Sequence, residues 1–142
     1  MQVEGTEKHG ALVLRLALGT MFVAHAGLKY FVFTLPGTAQ FFESLGLPGA
    51  LAYFTFAAEL AGGVFILLGV YGRWVSAALI PVLLGALWAH SGNGWVFTSA
   101  NGGWEYPAFL AAIALAHVLI GDGAYALVNA QRAHNLRQEA YA

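Results

Sequence analysis

Three ionisable residues with the chemistry of proton transfer lie inside stretches that are otherwise apolar. His25 and Lys29 are four residues apart in one stretch, which places them on one face if that stretch is helical, and Glu59 lies in the next stretch. A charge at the centre of a bilayer costs about 2.5 to 3.5 kcal/mol on insertion scales, so such groups tend to be paired or functional. A carboxylate and an imidazole can both accept protons from a bound ligand. We therefore predict a cluster of His25, Lys29 and Glu59 and take all three as catalytic candidates.

The elements that must position these residues are four apolar runs, each about 17 to 23 residues long, which is enough to cross a hydrocarbon core of roughly 30 Å. The runs cover residues 11–33, 50–70, 74–90 and 106–128. Counted from the span ends, Glu59 and His25 fall at similar depth. Short connections between the runs predict an all-α, up-down, four-helix membrane bundle. Residues 1–142 are thus expected to form a single domain with a short polar tail at 129–142.

Composition agrees with a membrane protein and excludes other classes. The chain of 142 residues is 59% hydrophobic and 9% charged, whereas soluble proteins are roughly half apolar and a quarter charged. The net charge of −1 and the scattered cations argue against nucleic-acid binding. Because the chain contains no cysteine, disulfides, thiolates and iron–sulfur ligation are excluded. A redox role would then need a bound cofactor or a partner protein.

The distribution of cations predicts the orientation of the chain in the membrane, because lysine and arginine are retained on the cytoplasmic side. Five cations fall on one side of the predicted bundle, namely Lys8, Arg15, Arg73, Arg132 and Arg137. Lys29 falls on the other side. Both termini are therefore expected to be cytoplasmic. A cleaved signal peptide is disfavoured, since Glu4 and Glu7 precede the first run where positive charge would be expected.

A second set of polar residues lies near the predicted cytoplasmic side. Arg15 and Asp122 fall at similar depth on the first and last spans, and we predict a structural ion pair between them. His117, interpreted as lying on a different face from Asp122, is expected to form a hydrogen bond to a neighbouring helix. Haem ligation by His25 and His117 is disfavoured because no second pair at a fixed spacing supports it.

Four residues near the external mouth are added as candidates for contact with a cofactor. They are Trp88, His90, Trp104 and Glu105. The two tryptophans could pack against an apolar headgroup, and His90 and Glu105 are titratable. With His25, Lys29 and Glu59 they make up the predicted quinone contact. His90 and Glu105 lack the dense ligand spacing of a metal site, so no metal and no other intrinsic cofactor is expected.

Several short motifs, in order, carry a resemblance to a known family. They lie at residues 15–19 (RLALG), 25–29 (HAGLK), 41–48 (FFESLGLP), 59–63 (ELAGG), 67–69 (LLG) and 102–107 (GGWEYP). This combination, running from Leu12 to about Gly121, resembles the DoxX family of small bacterial membrane proteins. The resemblance implies a four-helix protein of the bacterial cytoplasmic (inner) membrane and places His25, Lys29, Glu59 and Glu105 among the family's motif positions. It also implies a redox neighbourhood, because members are associated with quinol oxidase and thiosulfate:quinone oxidoreductase subunits and with oxidative-stress complexes.

Two main functions follow as expectations. The first is a membrane subunit of a respiratory or oxidoreductase complex that contacts quinone or quinol through the His/Lys/Glu cluster. The second is a non-catalytic accessory subunit that anchors or stabilises a larger membrane complex. A small transporter is a weaker third, since no inverted repeat or pair of broken helices is evident. Lipid and protein partners are expected in either main case, and the chain is not expected to be an enzyme on its own.

Overall fold

The computed structural model describes residues 3–129, and this part of the chain is helical with no strand. The elements are α1 (Val3–Gly27), a π-helical turn (Leu28–Val32), α2 (Leu35–Ser44), α3 (Ala50–Leu68), α4 (Gly72–His90), a 3-10 turn (Ser91–Asn93) and α5 (Glu105–Ile120). The predicted all-α class is confirmed. Residues 130–142, which include Arg132, Arg137 and nearly all of the predicted polar tail, lie outside the described residues.

Three helical stretches in the described chain are long and apolar enough to cross a membrane. They are Gly5–Val32, Ala50–Leu68 and Gly72–Asn93, and α5 is a shorter apolar helix of 16 residues. At 1.5 Å per residue α5 spans about 24 Å, less than the roughly 30 Å of a typical hydrocarbon core. The fourth apolar run was expected to extend to residue 128, but the helix ends at Ile120. Gly121 and Gly123 both have positive φ, and glycine adopts this conformation without a Cβ penalty.

Glycines allow α3 to approach both of its neighbours closely. A Cβ added at Gly63 would lie 2.8 Å from Val23 and 3.0 Å from the carbonyl oxygen of Gly19 on α1. A Cβ added at Gly62 would lie 2.7 Å from Leu79 on α4. An added Cβ would force the side chains of Val23 and Leu79 to move, and its distance to the Gly19 oxygen is shorter than most real Cβ contacts, so glycine allows the closest packing here. The close approach of α1 and α3 brings the cluster residues of both helices to one place.

The segment between the first two apolar runs contains a helix where the sequence suggested a loop. Thr34 caps α2 with its side-chain oxygen, which accepts a hydrogen bond from the amide of Gly37 at 3.2 Å, and Pro36 lies in the first turn. Threonine is a favoured N-cap residue and proline fits the first helical turn. Pro36 and Gly37 therefore lie in the first turn of a helix, where the sequence predicted only a short connection between spans.

The four long helices pack in a ring, with α1 beside α3 and α5, and α4 beside α3 and α5. Their buried apolar residues form one layer: Leu18, Phe22, Ile66, Leu79, Leu83, Leu110 and Ala114. Polar side chains lie on both ends of this layer. We call His25, Lys29 and Glu59 the Lys29 cluster, and Arg15, Ser76, His117 and Asp122 the His117 cluster. Ten residues of α1 separate Arg15 from His25, so the two clusters lie about 15 Å apart along that helix.

Candidate functional site in the Lys29 cluster

Lys29 and Glu59 form an ion pair in the interior of the helix assembly. The Nζ of Lys29 donates to Oε2 of Glu59 at 2.6 Å. The Lys29 side chain is 17% exposed and that of Glu59 is 7% exposed. A charge-assisted bond of this length between groups so shielded from solvent is strong, and each charge offsets the insertion cost of the other. The structure thus brings together two of the three predicted cluster residues.

Lys29 reaches Glu59 from a π-helical turn. Residues Leu28–Val32 form this turn, and the amide of Phe33 bonds to the carbonyl oxygen of Leu28 at 2.9 Å. A π-helical turn at the end of an α-helix is rare and occurs frequently at functional sites. The chain was predicted to be α-helical from His25 to Lys29, but it becomes π-helical at Leu28, next to the residue that bonds to Glu59.

His25 lies one turn before Lys29 but takes a different partner. Its Nδ1 is 2.7 Å from the carbonyl oxygen of Met21, and its ring stacks on that of Tyr106 at 5.4 Å with a 20° interplanar angle. Because a carbonyl oxygen only accepts, Nδ1 must carry the proton of this bond, which leaves Nε2 as the proton-accepting nitrogen of a neutral ring. In the described part of the chain no hydrogen bond joins His25 to Lys29 or Glu59. The third predicted member therefore lies one helical turn before Lys29 along the chain but bonds to neither member of the ion pair.

Tyr106 is a residue of this site that the sequence interpretation missed. It is the second residue of α5. Its ring packs against His25 and against the apolar layer, and its hydroxyl oxygen is buried. Tyr106 also lines a shallow groove of about 390 Å³ together with Trp95, Glu105, Ala108 and Phe109. Tyr106 belongs to the motif at residues 102–107, but an aromatic residue at the start of an apolar run is also typical of the membrane interface, so its contact with His25 was not predicted.

The other predicted quinone contacts organise the segment between α4 and α5. His90 bonds through Nδ1 to the carbonyl oxygen of Asn101 at 3.0 Å, and Oε1 of Glu105 accepts from the amide of Phe97 at 2.8 Å. Trp104 packs edge-on against Trp95 at 4.4 Å, while Trp88 is exposed. Within residues 3–129 these side chains form no hydrogen bond or ion pair with Lys29 or Glu59. Glu105 lines the same groove as its neighbour Tyr106, and His25, Lys29 and Glu59 are not part of that lining.

The predicted ion pair between Arg15 and Asp122 does not form in the described chain. The guanidinium of Arg15 donates to the main-chain carbonyl oxygen of Asp122 at 2.8 Å. The Asp122 carboxylate instead accepts from the amide of Gly72 at 3.1 Å and lies 3.2 Å from Nε2 of His117. The reason is the end of α5 at Ile120, which places Asp122 in a turn with its carbonyl group toward Arg15.

His117 makes the predicted hydrogen bond to a neighbouring helix, since its Nδ1 is 2.7 Å from Oγ of Ser76 on α4. The interpretation that His117 faces away from Asp122 was wrong, again because the chain turns after Ile120. Ser76 contacts His117 and His117 contacts Asp122, which is the same succession of residue types as in a hydrolytic triad. Ser76 and His117 are fully buried, however, and the hydroxyl contacts Nδ1 and not Nε2 of the ring, which is the reverse of the catalytic arrangement. The arrangement holds the segment after α5 to the start of α4.

In the part of the chain that the structure describes, no three histidine or carboxylate side chains are grouped as metal ligands. The expectation that the protein has no metal and no haem stays a prediction.

Comparisons with known proteins assign the chain to a family. The DoxX family model matches residues 10–92, which contain most of α1, all of α2 to α4, and therefore all of the Lys29 cluster. A protein of Bacillus subtilis (strain 168) named "Putative oxidoreductase CatD" is 42% identical over 78 residues, which is 55% of this chain and 57% of the relative. The chain thus spans little more than half the length of that relative, and no solved structure matches it. Because the match covers more than half of the sequence, this protein belongs to the DoxX family.

Proposed function

We propose that this DoxX protein is an integral membrane subunit of a respiratory or other oxidoreductase complex and binds the headgroup of a quinone or quinol at the Lys29 cluster. The observation that carries the proposal is the shielded ion pair between Lys29 and Glu59 on a π-helical turn. Ionisable groups inside a membrane domain are functional candidates by default. The pairing of Lys29 with Glu59 offsets the free-energy cost of placing each charge in the bilayer. The printed name of the B. subtilis relative, an oxidoreductase, supports a redox setting.

The proposed topology is four crossings in alternating directions in the bacterial inner membrane, with both termini in the cytoplasm. Lys8 and Arg73 lie at one end of the described helices and Lys29 lies toward the other, as retention of cations in the cytoplasm would require. The ring of α1, α3, α4 and α5 supports four crossings, and α5 would cross where the bilayer is locally thinned or would tuck its ends below the interface.

The absence of cysteine makes this topology simple to test, since a single introduced thiol has no background. Thr98→Cys, in the exposed segment between α4 and α5, should react with a membrane-impermeant maleimide in intact cells. Thr6→Cys, at the exposed start of α1, should react only after the membrane is opened. The reverse pattern, or reaction of both thiols in intact cells, would contradict the proposed orientation.

The chemistry of the cluster suits a flat ring with two oxygens. Oε2 of Glu59 holds Lys29, which leaves Oε1 of the same carboxylate to accept a proton from a quinol hydroxyl. Nε2 of His25 can accept the second proton, because Nδ1 already donates to Met21. The ammonium of Lys29 would stabilise the negative charge on the quinol oxygen as its proton leaves. Oxidation of the quinol thus gives two protons to this chain and two electrons to a redox centre of a partner subunit.

Quinol turnover by the assembled complex tests this proposal. Glu59→Gln keeps the shape of the side chain but removes the proton acceptor, and we expect turnover to fall about a hundredfold, the lower range for loss of a general base. His25→Ala should lower turnover as well. Unchanged rates in both variants, with the complex still assembled, would refute the catalytic part of the proposal.

A non-catalytic accessory subunit is the second candidate, favoured by the broad apolar outer faces of the helices. Large side chains such as Val13, Phe31, Phe54, Trp74 and Leu119 are exposed along these faces, where lipid or a partner helix could cover them. In that case the protein should co-purify with a larger complex, and Glu59→Gln should change neither assembly nor turnover. Loss of turnover with assembly intact would exclude a purely structural role.

A further inference from the structure

The hydroxyl group of Tyr106 is a buried donor without a partner among the described residues. Its oxygen is shielded from solvent and makes no hydrogen bond, although the ring around it is well packed. Native structures give nearly all buried polar atoms a partner, and each exception calls for an explanation, of which a functional role is one. Phenylalanine would fill the same apolar space, so packing alone does not explain a tyrosine at this position.

The position of Tyr106 connects this unpaired hydroxyl with the Lys29 cluster. The ring stacks on His25 at 5.4 Å, and His25 lies one turn before Lys29 on the same stretch of chain. On its other side Tyr106 lines the groove of about 390 Å³ that it shares with Trp95 and Phe109. Tyr106 therefore contacts both His25 of the Lys29 cluster and a groove open to the surroundings.

We infer that Tyr106 is a ligand-binding residue whose hydroxyl donates a hydrogen bond to a ring oxygen of the molecule held at the Lys29 cluster. The inference rests on the proposed function and adds to it a donor from α5, which lies beyond the part of the chain matched by the family model. A neutral phenol both donates and accepts, so it can bond to the carbonyl of a quinone and to the hydroxyl of a quinol. Lys29 and Tyr106 then contribute donors from different helices, which favours a flat ring with two oxygens over an alkyl chain.

Tyr106→Phe tests this inference because it removes the hydroxyl and keeps the ring. The purified protein is placed in lipid nanodiscs, and its binding of decylubiquinone and of menadione is measured in parallel by titration calorimetry. We expect the dissociation constant to rise about tenfold, the size of one lost hydrogen bond to a ligand. The melting temperature without ligand should stay the same or rise, since a buried donor without a partner is removed.

Tyr125→Phe is the matched control, because Tyr125 is exposed, its ring packs against His9, and it lies three residues after Asp122 of the His117 cluster. It should leave the dissociation constant unchanged. If wild type binds quinone and Tyr106→Phe binds it equally well, the inference is wrong while the proposed function stands. A drop in melting temperature of ligand-free Tyr106→Phe with unchanged affinity would likewise overturn the inference, because the hydroxyl would then be structural. If the wild-type protein binds neither quinone, both the inference and the proposed function fail.

Discussion

The Nζ of Lys29 lies 2.6 Å from Oε2 of Glu59 and joins the π-helical turn after α1 to the middle of α3. Both side chains are largely shielded, so neither charge could remain there alone without a penalty. Gly19 and Gly63 support the pair, because their contact lets α1 and α3 approach closely. Gly63 lies one turn after Glu59 on α3, and Gly19 lies about three turns before Lys29 on α1. Stability and function at this site are therefore coupled, and each can be tested separately.

Removing both members of the pair should destabilise the protein by less than the two single losses added together. Lys29→Met leaves the Glu59 carboxylate unpaired, and Glu59→Gln leaves the Lys29 ammonium unpaired. Each single variant should lower the free energy of unfolding by about 3 kcal/mol, the lower range for breaking a shielded ion pair. The double variant should lose less than the sum, with a coupling energy of about 1 to 3 kcal/mol.

Unfolding in mixed detergent micelles provides the measurement for this cycle. Lys8→Met and Glu7→Gln remove the same charges from exposed positions of α1, and they should change stability by less than about 0.5 kcal/mol. Strict additivity of the two single changes would show that the pair contributes nothing as a pair.

The glycine contact between α1 and α3 should be intolerant of one added methyl group. In Gly63→Ala the new Cβ would lie 2.8 Å from Val23 and 3.0 Å from the Gly19 carbonyl oxygen, so the helices must separate. We expect a loss of about 1 to 3 kcal/mol, the usual cost of overpacking. Gly85→Ala is the control, since no atom lies within 4 Å of its added Cβ. That variant should gain about 0.5 to 1 kcal/mol, and equal effects at the two positions would contradict the packing described here.

The bond between Ser76 and His117 should stabilise the end of the molecule opposite the Lys29 cluster. Ser76→Ala leaves Nδ1 of a fully buried imidazole without its partner, which should cost about 1 to 3 kcal/mol. Ser91→Ala removes an exposed hydroxyl that bonds only to the carbonyl of Trp88, and thermal unfolding should hardly change. If Ser76→Ala is as stable as Ser91→Ala, His117 must have another partner.

The apolar runs and the meeting of Lys29 with Glu59 could be predicted from the sequence, because both follow from the energy of placing residues in lipid. Long apolar runs must cover their backbone polar groups within helices, and two opposite charges at similar depth gain most by pairing. Gly62 and Gly63 follow Glu59 by about one turn, and small residues at such positions favour the close helix contacts that the structure shows.

The missed features depend on local backbone geometry that composition does not determine. Helix α2 starts at a Thr34 cap within a predicted connection, and α5 ends at Ile120, well before residue 128 where the span was predicted to end. The contact of Arg15 with the carbonyl of Asp122 depends on that same ending. The role of Tyr106 could not be found because burial of one hydroxyl oxygen is a tertiary property.

Equilibrium binding of decylubiquinone to the protein in nanodiscs, compared between wild type and the charge variants, tests the central claim most directly. We predict saturable binding at one site per chain, weakened at least about tenfold by Lys29→Met and by Glu59→Gln through loss of a charged partner. Lys8→Met and Glu7→Gln should bind as wild type does. Binding that does not saturate, or that is equal in all five proteins, would contradict a quinone site at Lys29 and Glu59.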